Sequence, residues 1–414
     1  MHSSKAFSPK PLASRRGFLK NTMTTTPKIG LIADDFTGAM DSGAQFSYSQ
    51  LGVHFRFAGS PSGDVEIINT ASREIPAPDA VERVQAACRT LAGRILFKKI
   101  DSTLRGHVGE EIEAVLEASS YQKAVICPAA PLQGRTVRSG VLSINGIPLE
   151  QTAFKDDPLY PAKTSRLSEL VGKPVVHLSL ELLRGPLTGL TTAITTSPLP
   201  LLTTDAESPD DLFTLARAIF AAQALPCGAF GLARAYLQAL EVEPVSHPPF
   251  QPGGAVLVLV GSANQVAREQ IARLETRPDS VVLRFGPLAT PETIQQVFDL
   301  LPSNKRILVL CAAQDRTVRT PEWLRFGQTV SETGLAVLVK FQPKTILVVG
   351  GETVTHFCQH ASVESIEILG EAAPGVPYGR MRGGRLDQRL LITKAGGFGT
   401  PETLTNILYP TEKT

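Results

Sequence analysis

Short runs of Val, Ile and Leu recur along the chain. Between them lie longer stretches in which apolar residues return every three or four positions. The runs predict strands covered on both faces, and the stretches predict helices with one apolar face. Strands are predicted at Lys28–Ala33, Val65–Asn69, Arg94–Lys99, Lys123–Cys127, Ala255–Val260, Ser280–Arg284, Arg306–Cys311, Thr345–Val349 and Arg389–Thr393. Helices are predicted at Asp79–Ala92, Gly109–Ala118, Asp210–Gln223, Leu232–Glu241, Gln265–Glu275, Pro291–Leu301, Val354–His360 and Pro401–Leu408. Strands alternating with helices imply βαβ units, so the fold class is α/β with largely parallel sheets flanked by helices.

The pattern breaks in two places. Glu243–Gly254 holds four prolines and two glycines, which continue neither a helix nor a central strand. It divides the chain into domains at 27–245 and 255–410, with a linker over 246–254. Residues 128–163 are irregular, and within them Val141–Leu149 reads as a hairpin turning at Asn145-Gly146. At 414 residues the chain is long enough for two such domains.

Composition narrows the function classes. Lys and Arg number 41 against 39 Asp and Glu, a net charge of +2. Such a balance gives no electrostatic reason to expect nucleic acid or an anionic membrane as partner. No apolar run is long enough to span a bilayer. The five cysteines are far apart and form no CxxC pair, so buried thiols in a reducing cytoplasm are expected. Ser14–Lys20 matches a twin-arginine export pattern, but the residues after it are polar where a signal needs an apolar core. Residues 1–26 are read as a disordered or mis-annotated extension, with Met23 a plausible start.

Candidate chemistry clusters where strands run into helices. In the first half, Asp34 and Asp35 follow the first strand, the position at which α/β proteins bind ligands. Paired carboxylates there can accept a proton, hold a metal or bind sugar hydroxyls, although one of the two aspartates or Thr37 could simply cap the next helix. Lys99, Asp101, Ser102, Thr103 and Arg105 repeat the arrangement after a second strand, and Arg73 follows a third. Cations for a carboxylate beside acids for hydroxyls suit a small polyhydroxy acid. In the second half, three strand-to-helix turns are rich in small residues: Gly261-Ser262, Gly350-Gly351-Glu352-Thr353 and Lys394-Ala395-Gly396-Gly397. Together they point to a phosphate or nucleotide site. His356 and His360 lie four apart but lack a third ligand, so metal ligands are unknown.

In order and spacing, these segments resemble the four-carbon acid sugar kinase family over nearly the whole chain after residue 27. The carriers are Ala33–Ala39, Lys99–Gly106, Pro128–Pro131 with Gly134–Thr136, Gly261-Ser262, Gly350–Thr353 and Lys394–Gly399. The resemblance implies an ATP- and Mg2+-dependent kinase that phosphorylates the terminal hydroxyl of a sugar acid in an interdomain cleft. By that resemblance Asp34, Asp35, Arg73, Lys99, Asp101, Ser102, Thr103 and Arg105 contact substrate, with Arg73, Lys99 and Arg105 on its carboxylate. Asp35 or Asp101 is the proton acceptor. Ser262, Gly350, Gly351, Glu352, Thr353, Lys394, Gly396 and Gly397 contact ATP, and the domains close about the linker. A homodimer is compatible with it. The Lys-Ile-Asp-Ser-Thr and Thr-Lys-Ala-Gly-Gly-Phe-Gly forms resemble those of D-threonate kinases more than those of other members, with 3-oxo-tetronate or D-erythronate as alternative substrates. His107 stands where the family has Asn, and Ala267 where it often has Thr. Outside the family, an aspartyl phosphatase and a non-enzymatic sugar-acid sensor are the competing readings.

Overall fold

The computed structural model describes residues 26–157, 160–287, 291–299, 305–313 and 325–410. The extension expected over 1–26 falls, apart from its last residue, outside the described residues. Strands and helices alternate as the hydrophobic pattern requires. Strands Val65–Asn69 and Thr345–Val349 and helix Gln265–Glu275 occupy the expected residues, and the others shift by one to three. The Asn145-Gly146 hairpin forms, with both residues in the left-handed region at φ 52° and 80°. All five cysteines are free and buried.

The two expected sheets are one. In the first half, Val53–Arg56, Val65–Asn69, Ile29–Ala33, Ile95–Lys99, Leu225–Gly228, Ala124–Cys127, Leu201–Thr204 and Val176–Leu178 lie side by side in that order, all parallel. In the second half, Ser280–Phe285, Ile307–Ala312, Val256–Val260, Thr345–Val349 and Leu390–Lys394 do the same. An antiparallel hairpin, Ser365–Ala373 and Val376–Arg382, joins them. Its outer strand pairs with Val53–Arg56, through Ser365 with Arg56, Ile366 with Phe55 and Glu367 with His54. The result is a single sheet of 15 strands among the described residues.

The core is shared as well. Strand Val256–Val260 is buried throughout, and its alternate residues enter different clusters. Leu257 and Leu259 join the cluster that also holds Ile29, Leu31 and Phe97 of the first half, while Val256, Val258 and Val260 face the other side. Helix Phe36–Phe46 lies across the seam. A Cβ on Gly43 would come within 2.4 Å of Ile67 Cδ1 and 2.5 Å of Ile368 Cδ1, so helix and sheet approach where only glycine fits. The Pro-rich linker is fastened too. Val245 N–H donates to Tyr48, His247 lies 2.7 Å from the Ser47 carbonyl, and Gly253 N–H donates to Thr345. This geometry argues against the linker as a free hinge, because closing about it would have to bend a hydrogen-bonded sheet.

Both halves reverse strand order beside a central strand. Ile29–Ala33 lies between Val65–Asn69 and Ile95–Lys99, and Val256–Val260 between Ile307–Ala312 and Thr345–Val349. Crevices at such reversals are where α/β sheets hold ligands. Gly43→Val should lower stability by about 1–3 kcal/mol, the usual cost of overpacking. Urea unfolding monitored by circular dichroism measures it, and an unchanged midpoint would show that Ile67 and Ile368 can yield.

Candidate active site

The strand ends of the first half converge on one guanidinium. Arg73 Nε and Nη2 donate to both carboxylate oxygens of Asp34 at 2.8 and 3.0 Å, and Nη2 also donates to Asp35 at 2.8 Å. Asp101 lies 3.7 Å from the same nitrogen. These residues follow three adjacent strands, so sheet register places them together. The Tyr160 hydroxyl donates to the Arg73 carbonyl and helps fix the loop. Beneath it, buried Glu111 accepts from Ser72 at 2.6 Å and pairs with buried Lys98 at 2.7 Å.

Burial alone would raise the Asp34 and Asp101 carboxyls. For Asp34 the charge and hydrogen bonds of Arg73, with Lys98 and Lys99, overcome that and hold it below the usual range. For Asp101, Arg73, Arg105 and Lys99 hold it well below. Asp101 accepts from Arg105 at both oxygens, 2.9 Å each, and from Thr103 N–H and Oγ1. Arg105 also reaches Asp157 at 3.4 Å. Asp35 accepts from Gly38 N–H at 3.0 Å and so caps helix Phe36–Phe46. Lys99 donates to the Ile100 carbonyl at 2.7 Å.

Two sets of expected site residues have partners within the protein. Asp101 and Asp35, named as proton acceptors, are already bonded to cations. Arg73 and Arg105, expected to hold a substrate carboxylate, already hold carboxylates of the protein.

A cavity of about 210 Å³ opens beside this network. The first half lines it with Asp35, Lys99, Asp101 and Ser102, the second with Gly375, Ala395 and Phe398. It therefore lies between the halves. It also receives Asp41, Gln133, Arg135 and Phe154, none of which was singled out as a site residue. Asp41 reads in sequence as the polar side of a helix, and Arg135 sits in an irregular segment. Only the tertiary fold brings them here.

The three glycine turns of the second half meet. Gly350 adopts φ +115°, a backbone open chiefly to glycine, and starts helix Gly351–His360. A Cβ on Gly396 would lie 1.9 Å from Ser262 Oγ, and one on Gly261 2.0 Å from Thr353 Oγ1. One on Gly351 would lie 2.9 Å from Thr37 Oγ1, so this helix start faces the first half. Next to the turns, a hollow of about 560 Å³ lies among Ser262, Gln265, Arg268, Arg284 and Ala312.

Three of the expected contacts sit differently from a simple phosphate cradle. Thr353 is buried beneath the turns, and Glu352 is 70% exposed. Lys394 Nζ donates to the carbonyls of Ala395, Gly396 and Phe398, which ties the last turn into a ring. Burial lowers its pKa to about 8. Among the described residues no group of three or more His, Cys, Asp or Glu could hold a metal ion.

Residues 29–236 match the family model of a sugar-binding N-terminal domain, and residues 257–404 that of a nucleotide-binding C-terminal domain. The D-threonate kinase of Salmonella typhimurium LT2 is 31% identical over 93% of this chain and 99% of its own. The 3-oxo-tetronate kinase of Methylobacterium radiotolerans is 28% identical, covering 90% and 96%. The D-erythronate kinase of Heliobacterium modesticaldum is 26% identical, covering 93% and 99%. Among solved structures, a Salmonella typhimurium LT2 protein superposes with a TM-score of 0.79 at 21% identity, over 93% of this chain and all of that one. Haemophilus influenzae protein HI1011 gives 0.72 at 22%, over 91% and 98%. These two establish the fold.

Replacing Arg73 with Met should cost about 3–5 kcal/mol at pH 7, because Asp34 and Asp101 would lose a buried partner. Their depressed pKa values mean that the pairing stabilises above the unfolded carboxylate range near pH 4. It is lost as acid titrates the folded carboxyls. The gap between wild type and Arg73→Met in urea unfolding should therefore narrow below about pH 4. A pH-independent gap would mean that Arg73 stabilises by packing alone.

Proposed function

The chain belongs to the four-carbon acid sugar kinase family and is a sugar-acid kinase, and from that premise we propose that it converts D-threonate and ATP into 4-phospho-D-threonate and ADP. One observation carries this reading. A cavity sized for a small acid, lined by charged groups of one half, reaches the last glycine-rich turn of the other at Ala395 and Phe398, and that turn packs on Ser262 too closely at Gly396 for a side chain. D-threonate is favoured over 3-oxo-tetronate and D-erythronate by the 31% identical relative and by the Lys99–Thr103 and Thr393–Gly399 segments.

Phosphoryl transfer needs alignment and charge stabilisation more than covalent help. ATP would lie along Ser262, Gly350-Gly351 and Gly396-Gly397, with phosphates at the start of helix Gly351–His360, where free N–H groups and the helix dipole favour anions. Glu352 and Thr353 would shape this turn, and Lys394 would hold the last turn in place from below. Mg2+ would supply charge neutralisation on the triphosphate when bound with ATP, and among the described residues no cluster of acids, His or Cys would hold it independently. Asp34, Arg73 and Asp101 would form the rigid floor of the acid site, and Ser102, Thr103 and Lys99 its hydroxyl contacts. Bidentate pairing with Arg73 leaves Asp34 poorly placed as a phosphatase nucleophile.

Incubation with ATP-Mg2+ and each of D-threonate, D-erythronate and 3-oxo-tetronate, following ADP, should give the highest kcat/KM with D-threonate. A higher value with another acid reassigns the substrate within the family. Gly351→Val should weaken ADP binding by titration calorimetry roughly tenfold or more, about 1.4 kcal/mol. Its added side chain would meet Thr37. Full affinity in that variant would remove this turn from the nucleotide site.

A further inference from the structure

Seven charged side chains line the interdomain cavity: Asp35, Asp41, Arg73, Lys99, Asp101, Arg105 and Arg135. Five have hydrogen-bond partners within the protein. Arg73 bonds Asp34 and Asp35, and Arg105 bonds Asp101 and Asp157. Lys99 donates to a backbone carbonyl. The other two differ. Asp41 Oδ1 and Arg135 Nε are shut off from solvent and have no hydrogen-bond partner. Arg135 makes one side-chain bond, from Nη1 to Gln133 at 2.8 Å. A buried polar atom left unpaired costs about 1–3 kcal/mol, so an unpaired carboxylate oxygen and an unpaired guanidinium N–H in two residues lining one cavity call for an explanation.

We propose that these two groups read the two ends of the bound acid: Arg135 takes the carboxylate, and Asp41 takes the terminal hydroxyl and its proton. The assignment rests on the proposed kinase reading and adds the orientation of the substrate to it. Direction follows from placement. Asp41 lies one turn beyond Thr37 on helix Phe36–Phe46, so the two share a face. Thr37 is the residue that meets Gly351, at the start of the helix proposed to hold the phosphates. The helix face that carries Asp41 is thus the side of the cavity toward ATP. Arg135 opens strand Arg135–Arg138 of a separate small antiparallel sheet in the first half, just beyond Pro131–Gln133.

The chemistry balances with these groups. The terminal hydroxyl oxygen forms a bond to the γ-phosphorus. The bond from that phosphorus to the β–γ bridging oxygen breaks, and its electron pair leaves with ADP. The hydroxyl proton passes to the Asp41 carboxylate and from there to solvent. A base for this step needs a pKa near the working pH. Burial raises Asp41 to about 7, helped by Glu371 and Asp35 and opposed by Lys99 and Arg135, the charged groups facing it from the hairpin, the helix cap, the central strand end and strand Arg135–Arg138. Asp101, held far lower by its cations, is a weaker acceptor.

The test uses the full chain with ATP-Mg2+ and D-threonate. Asp41→Asn should lower kcat on the order of 10²-fold or more, leave KM for the acid within a few-fold, and remove the loss of kcat/KM below about pH 7. Arg135→Gln should raise KM for the acid at least tenfold. It should also abolish the wild-type preference for the acid over threitol, the uncharged four-carbon polyol.

Titration with ADP should show unaltered nucleotide affinity in both variants. Because the folded pKa of Asp41 is raised, its burial stabilises less as pH climbs from about 4 to 7. Asp41→Asn should therefore melt higher than wild type above pH 7, which separates lost chemistry from lost folding. A kcat within threefold of wild type or a retained acid limb in Asp41→Asn overturns its role. An unchanged preference for acid over polyol in Arg135→Gln overturns the other. If the wild type itself releases no ADP with any four-carbon acid, the kinase reading fails instead.

Discussion

Three carboxylates at the ends of neighbouring strands would repel one another and resist burial. The Arg73 guanidinium removes both difficulties at once. It lies among Asp34 and Asp35, which follow one strand, and Asp101, which follows its neighbour, so sheet register brings all three to it. Much of the site's shape follows from this. The Arg73 loop must fold back over the first strand end, where Ser72 and Arg73 N–H groups reach the Asp34 carbonyl. The buried Lys98–Glu111 pair supports that loop from below. What remains open in the cavity is what the network leaves unused.

The division of labour between the halves is also a division of means. The first half works with fixed charges in a low-dielectric setting, which are strong but must be balanced pair by pair. The second offers backbone and small side chains, packed so that a methyl group would collide at Gly261 or Gly396. Charge suits a ligand that must be told apart from its isomers and held in one direction. Bare backbone suits a polyanion that must be approached closely. Lys394 belongs to the second style despite its charge, since it serves its own loop's carbonyls.

Much of this was legible in the chain. The strands that are apolar runs and the helices with one apolar face lie near the residues the pattern implies, and the Asn-Gly turn is where its chemistry demands. Elements that join distant parts were harder. Val53–Arg56 is short and alternates polar with apolar residues, so it reads weakly by itself. Leu225–Gly228 contains Pro226, which argues against a central strand, yet it lies between Ile95–Lys99 and Ala124–Cys127. Candidate residues were legible as chemistry but not as partners. Nothing near Asp101 says that Arg105 and Arg73 will claim it, and nothing near Asp41 says that it will be left unpaired.

The seam between the halves carries a consequence for how the chain is made. Val53–Arg56 is an inner strand only because Ser365–Ala373 pairs with it, and that segment is synthesised about 300 residues later. At roughly 5–20 residues per second, the first half waits on the order of tens of seconds with an open sheet edge. Unpaired edges invite pairing with other chains. His54 and Arg56 make this one less inviting, with Arg56 held by Glu66 at 2.8 Å. The nascent protein therefore carries protection needed only before it is complete, and the last part of the chain is the lid on its earliest strands.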